Sequence, residues 1–237
     1  MRSLDLYYAA KPLIPRRIRL GVRRLVARRL EKRVGHCWPV NENAGRPPER
    51  WPGWPGGKRF AFVLTQDVES QIGVDRCSRL AASELALGFR SAFNFIPEGS
   101  YHTPAELRRS LRERGFEVGV HDLNHDGKLY LSRKSFARKA ERINQYLKEW
   151  DAVGFRSGFM LHNLEWLKDL DVLYDASTFD VDPFEPQSDG AETIFPFWVA
   201  RSASSGFVVL PYTLPQDSTL FLILGRKNID VWVAKLD

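Results

Sequence analysis

From Arg59 onward, short apolar segments of strand length alternate with longer amphipathic segments of helical length. Strands that alternate with helices indicate βαβ units, in which each helix returns the chain so that successive strands run parallel. We therefore expect residues 59–237 to form one α/β domain, an irregular barrel of the (β/α)7 type. Barrels of roughly 200–250 residues can be single domains, so the chain length of 237 residues fits this fold.

Apolar spacing and helix-capping residues define the predicted elements. The predicted strands are residues 59–65, 91–96, 116–120, 154–156, 172–176 and 207–210, and the predicted helices are residues 75–87, 103–114, 132–150, 163–170 and 228–237. In one of these helices Thr103 is the predicted N-cap, Pro104 stands at the first position and Glu106 completes a capping box. No strand follows the last predicted helix, so we expect the barrel to be incomplete at its C-terminal end.

Residues 1–58 form a predicted N-terminal arm. Apolar residues recur at helical spacing within residues 1–35, whereas residues 36–58 are rich in Pro and Gly, which exclude regular structure. Residues 16–33 contain nine Arg or Lys and one acid, a local charge of +8, although the net charge of the whole chain is +6. Such a segment either forms a solvated helix packed on the barrel or binds an anionic membrane surface.

The remaining composition narrows the class of protein. Outside residues 16–33 the chain has 26 basic and 28 acidic residues, so nucleic-acid binding is not predicted. Cys37 and Cys77 are too few for a disulfide framework or a Cys-type zinc site, and they fit a reducing compartment. The sequence shows no secretory signal and no apolar run of membrane-spanning length. We therefore expect a cytoplasmic protein, peripheral to the inner face of the membrane if the basic segment binds lipid.

Polar side chains suited to metal binding and acid–base chemistry lie at the ends of four predicted strands. They are Asp67 and Glu69 after the first strand, His121 and His125 after the third, Arg156 at the fourth and Asp175 near the end of the fifth. Active sites of α/β barrels collect at the C-terminal ends of the parallel strands. Because four separate clusters fall at this end, we expect them to share one site.

His121 and His125 are four residues apart, a spacing that places both imidazoles on one face of a helical turn. Two histidines and one carboxylate, supplied by Glu69 or Asp67, make a catalytic metal site with open positions for zinc or a similar divalent ion. An isolated histidine pair at this spacing is more often a solvated pair in a loop. The strand-end position and the neighbouring Asp-x-Glu segment favour the metal site in this chain.

Asp67 and Glu69 lie two positions apart, so that their side chains can point the same way. One carboxylate then binds the metal and the other accepts a proton from water, the alternative being a turn or a loop cap. Arg156 either keeps the base ionised or forms a structural ion pair. Asp175 either braces Arg156 or a histidine ligand, or closes a turn at the end of its strand.

These segments resemble the motifs of the polysaccharide deacetylases of carbohydrate esterase family 4, the NodB homology domain. Leu64-Thr-Gln-Asp-Val-Glu69 is similar to the first motif, and Val118-Gly-Val-His-Asp-Leu-Asn-His-Asp-Gly127 resembles the second. Gly154-Phe-Arg-Ser-Gly158 is similar to the third, with Gly158 where many members have Pro, and Tyr174-Asp-Ala-Ser-Thr-Phe-Asp180 is similar to the fourth. The arm and residues 210–217 are similar to the corresponding segments of one bacterial subgroup of this family.

The resemblance implies that Asp67 is the base and Glu69 the carboxylate ligand. It implies a zinc ion, with Co, Mn, Fe or Ni as alternatives, and an N-acetylated sugar of a surface polysaccharide or its precursor as the substrate. The family's fifth motif supplies a histidine that acts as general acid, and no histidine follows His162 in this sequence. The alternative to an enzyme is therefore a catalytically impaired module that binds metal and carbohydrate.

Overall fold

The computed structural model describes residues 15–49, 51–185, 187 and 189–236. Its helices are α1 (Arg16–Glu31), α2 (Gln71–Ala86), α3 (Ala105–Glu113), α4 (Arg133–Glu149), α5 (Leu164–Leu167) and α6 (Asp230–Leu236). Gly158–Met160 forms a 3-10 turn and Ser218–Ile223 a π-helical segment. The predicted helix of the arm is present from Arg16, and the part predicted before position 15 lies outside the described residues.

Seven strands form one sheet. They are β1 (Thr65–Val68), β2 (Ala92–Phe95), β3 (Glu117–His121), β4 (Gly154–Arg156), β5 (Tyr174–Asp175), β6 (Phe197–Ala200) and β7 (Gly206–Val209). The order is β1-β2-β3-β4-β5-β7-β6, and all neighbours are parallel except β6 and β7. The α/β class is confirmed, but over the described residues the sheet stays open, with β1 and β6 at its edges, and does not close into a barrel.

The central strands are buried and this burial sets their register. All four residues of β2 are buried, and helices α3 and α4 contact β3. If a buried strand shifted by one residue against its neighbour, each of its side chains would move to the opposite face of the sheet. The pairing of such a strand is therefore strongly specified. In this register Asp67 of β1 is the partner of Asn94 in β2, and Asn94 is the partner of Gly119 in β3.

Side-chain caps define the starts of three helices. Ser70, Ser132 and Asn163 each accept a hydrogen bond from the backbone N–H three residues along, at the starts of α2, α4 and α5. These bonds satisfy amide groups that would otherwise lack a partner inside the helix. The predicted cap of α3 is wrong, because this helix begins after Pro104 and has no side-chain cap bond from Thr103.

The first strand lies later in the sequence than predicted. Phe60, Phe62 and Val63 are exposed by 72%, 48% and 60%, and the paired residues begin at Thr65. Alternation of apolar residues shows an extended segment but not which part of it finds a partner strand. Asp67 consequently lies inside β1, and Glu69 is the first residue after this strand.

Two elements were not predicted from the sequence. Strand β6 is an antiparallel edge strand, and its residues are alternately half-buried and exposed. The Ser218–Ile223 segment packs beside α1, some 190 residues away in the chain. Both elements depend on distant partners, which local periodicity does not reveal.

A second apolar cluster, separate from the main core around the sheet, joins the arm to the domain. Its buried members are Ala27, Val34, Trp38, Phe184, Leu220 and Ile223. The rings of Trp38 and Phe184 meet edge to face at 4.9 Å between centroids, and Nε of Arg24 donates a hydrogen bond to the backbone O of Leu222 at 2.8 Å. The arm helix is therefore packed on the domain. Of the helices described, none has the length and apolar character needed to cross a bilayer.

Candidate metal centre

The candidate site lies where β1 and β3 end, because the sheet brings these two segments together. Glu69 follows β1, and His121 is the last residue of β3. The predicted helical turn between the histidines is wrong, since Asp122 and His125 have positive φ angles of 58° and 54° and form a loop. The loop nevertheless brings the two imidazole rings to 4.7 Å between centroids.

Glu69, His121 and His125 each offer one ligand atom, and these atoms lie within 4.8 Å of one another. Oε1 of Glu69 is 3.6 Å from Nε2 of His121 and 3.3 Å from Nε2 of His125. Nδ1 of His121 lies 3.0 Å from the backbone O of Arg156, which leaves Nε2 facing the other ligands. That Nε2 atom is buried without a hydrogen-bond partner among the described residues. An orphaned buried imidazole nitrogen beside a second imidazole and a carboxylate fits a divalent ion such as zinc.

The electrostatics of the site keep Glu69 in the form that a metal needs. The close imidazoles of His121 and His125 hold the pKa of the carboxyl well below its usual range, against the opposing effect of burial. Glu69 is therefore ionised at neutral pH, as a metal ligand must be. Its side chain remains 54% exposed, so the site is open to solvent on this side.

Asp67 lies beside the three candidate ligands. Its Oδ1 accepts a hydrogen bond from Nδ2 of Asn94 at 3.0 Å and is 3.6 Å from Nε of Arg156. Burial raises the pKa of Asp67, but Arg156, His121 and the bond from Asn94 together outweigh that effect and lower it. Asp67 is therefore a carboxylate at neutral pH and can accept a proton from a group in the site.

Arg156 is fully buried and its guanidinium is held on several sides. Nη2 donates to Oγ1 of Thr65 at 2.6 Å, and Nη1 donates to Sδ of Met160 at 3.5 Å. The guanidinium carbon lies 4.7 Å from the centre of the Tyr212 ring, within the range of a cation–π contact. A buried cation is costly without a counter-charge, and the Asp67 carboxylate is near enough to supply it.

The side-chain hydrogen bonds of Asp175 close a turn at the end of its strand, and the charges of His162 and Arg156 act on it through space. Oδ1 and Oδ2 of Asp175 accept hydrogen bonds from the Ser177 hydroxyl at 2.6 Å and the Ser177 N–H at 3.1 Å. The Ser177 hydroxyl oxygen in turn accepts the N–H of Ser157 at 2.8 Å. The hydrogen bonds of Asp175 therefore do not include the expected direct bond to Arg156 or to a histidine among the described residues. Asp175 instead supports the backbone that directly follows Arg156.

Gly158 allows the loop after β4 to approach the histidine loop closely. Its N–H donates to Oδ2 of Asp122 at 3.2 Å. A Cβ atom at Gly158 would lie 2.4 Å from this same oxygen and 2.9 Å from Cδ2 of His125. Because real Cβ atoms do not approach other atoms so closely, a glycine is needed here to keep His125 in position.

The candidate ligands and Asp67 line a cavity of about 220 Å³. Gln216, from the segment 210–217 that resembles one bacterial subgroup, also lines the cavity. Further lining residues that the sequence did not single out include Arg23, Glu185 and Ser218. Arg23 belongs to α1, and the packing of α1 against the Ser218–Ile223 segment carries it to the cavity. The sequence indicates a basic helix, but no local signal distinguishes Arg23 from the other arginines around it.

Asn94 is a further site residue that the sequence analysis missed. It lies in the middle of β2, where the neighbouring residues Phe93 and Phe95 are fully buried. A polar residue inside such an apolar run needs a hydrogen-bond partner, and Asp67 is that partner. This local signal was therefore sufficient to mark Asn94 as a candidate.

Known structures resemble the chain, whereas no protein-family profile and no curated protein sequence matches it. A protein from Mycobacterium smegmatis assigned as a polysaccharide deacetylase is 20% identical, with a TM-score of 0.58 over 81% of this chain and 75% of its own. The Xyl-CE4 domain of a multidomain xylanase from the hindgut metagenome of Trinervitermes trinervoides is 16% identical, with a TM-score of 0.40 over 51% of this chain and 60% of its own. A chitin deacetylase from the fungal pathogen Colletotrichum lindemuthianum is 15% identical, with a TM-score of 0.41 over 73% and 81%. By its similarity to the first of these structures, the chain has the α/β fold of the polysaccharide deacetylases.

Proposed function

We propose that this protein is a metal-dependent hydrolase that removes N-acetyl groups from a carbohydrate. The observation that carries the proposal is the convergence of Glu69, His121 and His125 beside the carboxylate of Asp67. Metal-assisted amide hydrolysis needs a metal with open coordination positions and a base beside it. Two imidazoles and one carboxylate can hold such a metal. The shared fold and the four motif resemblances support the same reaction class.

The donor set favours zinc. Glu69, His121 and His125 offer one oxygen and two nitrogen atoms, which suit Zn, Co, Mn, Fe or Ni better than Ca or Mg. A divalent ion held by these residues supplies Lewis-acid polarisation of an amide carbonyl and makes water easier to ionise. The cavity that these residues line leaves space for water and for an acetamide group.

Asp67 is the proposed base, and it accepts the proton of the attacking water. Arg156 and Asn94 hold Asp67 as an oriented carboxylate before any substrate arrives. This arrangement lowers the cost of reorganisation during the reaction, since the opposite charge is already in place. Arg156 is on this view a positioning residue, because it acts through Asp67.

The motif resemblance and the polar cavity wall support a proposal for the substrate class. We infer an N-acetylated sugar of a surface polysaccharide or of its precursor. Gln216 and Ser218 offer amide and hydroxyl groups that can hydrogen-bond to sugar hydroxyls, and Arg23 and Glu185 add charges of both signs. A cytoplasmic enzyme at the inner face of the membrane would act on the precursor.

A second candidate function is a metal- and carbohydrate-binding module with impaired catalysis. The departing amine needs a proton, and in the described cavity wall the histidines are His121 and His125, which are both assigned to the metal. A general acid contributes on the order of 10²–10⁴-fold to such a reaction. A chain that relies on water for this proton would bind the same ligands and turn over slowly.

Metal analysis combined with an acetate-release assay tests the proposal. After dialysis, the unaltered protein should retain about one divalent ion per chain, and Glu69→Ala and His125→Ala should lose it. Asp67→Asn should keep the ion but release acetate from N-acetylglucosamine oligomers about 10²–10⁴ times more slowly. Absence of stoichiometric metal in the unaltered protein would overturn the metal site. Metal retention without acetate release would favour the second candidate.

A further inference from the structure

Helix α1 has apolar side chains on two opposite faces. On the inner face Leu20, Ala27 and Leu30 pack in the second apolar cluster. On the other face lies a group that we call the outer stripe: Ile18, Val22, Leu25 and Val26, which are exposed by 57%, 57%, 52% and 55%. Their spacing of four, three and one residues places them on one side of the helix. Packing on the domain therefore accounts for three of these seven apolar residues of α1.

Cations border the outer stripe. Arg17, Arg28 and Arg29 are exposed. The single acid of the helix, Glu31, forms an ion pair with Arg226 of the C-terminal region and so does not neutralise these arginines. An exposed apolar strip with exposed positive charge beside it is unfavourable in water alone and marks an interaction surface.

We propose that the outer stripe docks this protein on an anionic lipid surface. A bilayer interface offers an apolar layer for the four aliphatic side chains and anionic headgroups for the arginines beside them. Nucleic acid would satisfy the arginines and leave the aliphatic side chains in water. The combination of both features on one helix face therefore selects the lipid surface.

The inner face of α1 sets how the docked protein is oriented. Arg24 donates a hydrogen bond to Leu222, and Arg23 lines the cavity of the candidate metal centre. The helix can thus lie on a membrane while its opposite side stays attached to the domain. Docking in this way holds the cavity next to the membrane-bound helix. The docking depends on the outer stripe and the arginines beside it, and it does not rest on the proposed hydrolysis.

Vesicle co-sedimentation of the full chain tests the proposal. Vesicles of phosphatidylcholine with about 30% phosphatidylglycerol should bind the protein at least about tenfold more tightly than pure phosphatidylcholine vesicles, and added salt should weaken the binding. Val22→Gln with Leu25→Gln should weaken binding to the anionic vesicles about tenfold or more. Arg28→Gln with Arg29→Gln should reduce both the affinity and its dependence on salt.

A matched control removes two equally exposed apolar side chains elsewhere. Leu87 and Leu173 are exposed by 73% and 65%, and Leu87→Gln with Leu173→Gln should bind the anionic vesicles as the unaltered protein does. Circular dichroism and thermal unfolding of each variant establish that it is folded. Because binding is measured without any substrate, its result is separate from that of the acetate-release assay.

Several results would overturn the proposal. One is equal binding of the Val22 and Leu25 variant and the unaltered protein to the anionic vesicles. Another is tighter binding to double-stranded DNA than to these vesicles at the same salt concentration. A third is that the unaltered protein binds no vesicles but self-associates, and that the same two substitutions abolish this self-association. This result would assign the outer stripe to contact with a second copy of this chain.

Discussion

Nε of Arg156 lies 3.6 Å from Oδ1 of Asp67, and other contacts hold both groups in place. Thr65 fixes the guanidinium and Asn94 fixes the carboxylate. Burial alone would favour a protonated Asp67, and Arg156 together with His121 and the bond from Asn94 reverses that preference. These groups therefore set the ionisation of the proposed base independently of any substrate.

Arg156→Ala should slow acetate release by on the order of 10²-fold, because Asp67 loses the charge that keeps it ionised in a buried place. Arg156→Lys keeps the charge but not the fork geometry, so it should recover part of the rate. Initial rates on N-acetylglucosamine oligomers measure both effects, with bound metal determined for each variant. An Arg156→Ala protein that is folded, metal-bound and fully active would contradict the assigned role.

Gly158→Ala should weaken metal binding by about 10- to 100-fold, since the added methyl displaces Asp122 or His125. The predicted contacts of 2.4 Å and 2.9 Å leave no space for a Cβ atom. Competition with a zinc chelator gives the affinity. Gly35→Ala is the matched control, because a Cβ at Gly35 meets no atom within 4 Å. Equal zinc affinity in both variants would show that the loop adjusts without moving His125.

Lys235 of α6 should be needed to hold the C-terminal region on the domain. Its Nζ lies 2.8 Å from Oδ2 of Asp180, and the two side chains are exposed by only 7% and 2%. Lys235→Met leaves a buried carboxylate without its cation and should lower the free energy of unfolding by about 3–5 kcal/mol. Lys235→Met with Asp180→Asn should recover most of this loss. Urea unfolding at neutral pH measures both variants, and equal stability of all three proteins would contradict the pairing.

Asp182 should make the protein less stable as the pH rises. Burial, assisted by the neighbouring Glu185, raises the pKa of Asp182 from 3.8 to about 7, and its Oδ2 atom is buried without a hydrogen-bond partner in the described region. The folded state therefore holds a proton that the unfolded state releases between about pH 4 and pH 7. Over this window stability falls with rising pH, by at most about 1.4 kcal/mol per pH unit.

Asp182→Asn removes this titration and should stabilise the protein at pH 8 much more than at pH 4. The Asn side-chain oxygen can still accept the N–H of Phe184, which Oδ1 of Asp182 accepts at 3.0 Å. Asp75→Asn, a change at an exposed position, is the control and should alter stability little at either pH. Thermal unfolding at both pH values gives the comparison. The same gain at pH 4 and pH 8 would show that Asp182 is ionised throughout.

Local sequence was sufficient for the elements whose signals lie within a few residues. The helices at α2 and α4 and the strand at β4 follow from apolar spacing and turn residues, although α2 begins four residues earlier than predicted. His121, His125 and the pair Asp67 and Glu69 were selected because they follow predicted strands, and parallel strands end on one edge. The choice of Glu69 as the carboxylate ligand came from the motif resemblance. The capping box at Thr103 failed, since a matching pattern does not ensure that the cap bond forms.

What the sequence by itself determined is the α/β class and the candidate metal ligands, because both depend on residue types at short, regular spacing. Only the tertiary structure decided that β1 begins at Thr65 and that Arg23 reaches the metal cavity. These features result from contacts between segments far apart in the chain. Such contacts are selected by the burial of whole surfaces, and no local pattern of residues encodes which surfaces will meet.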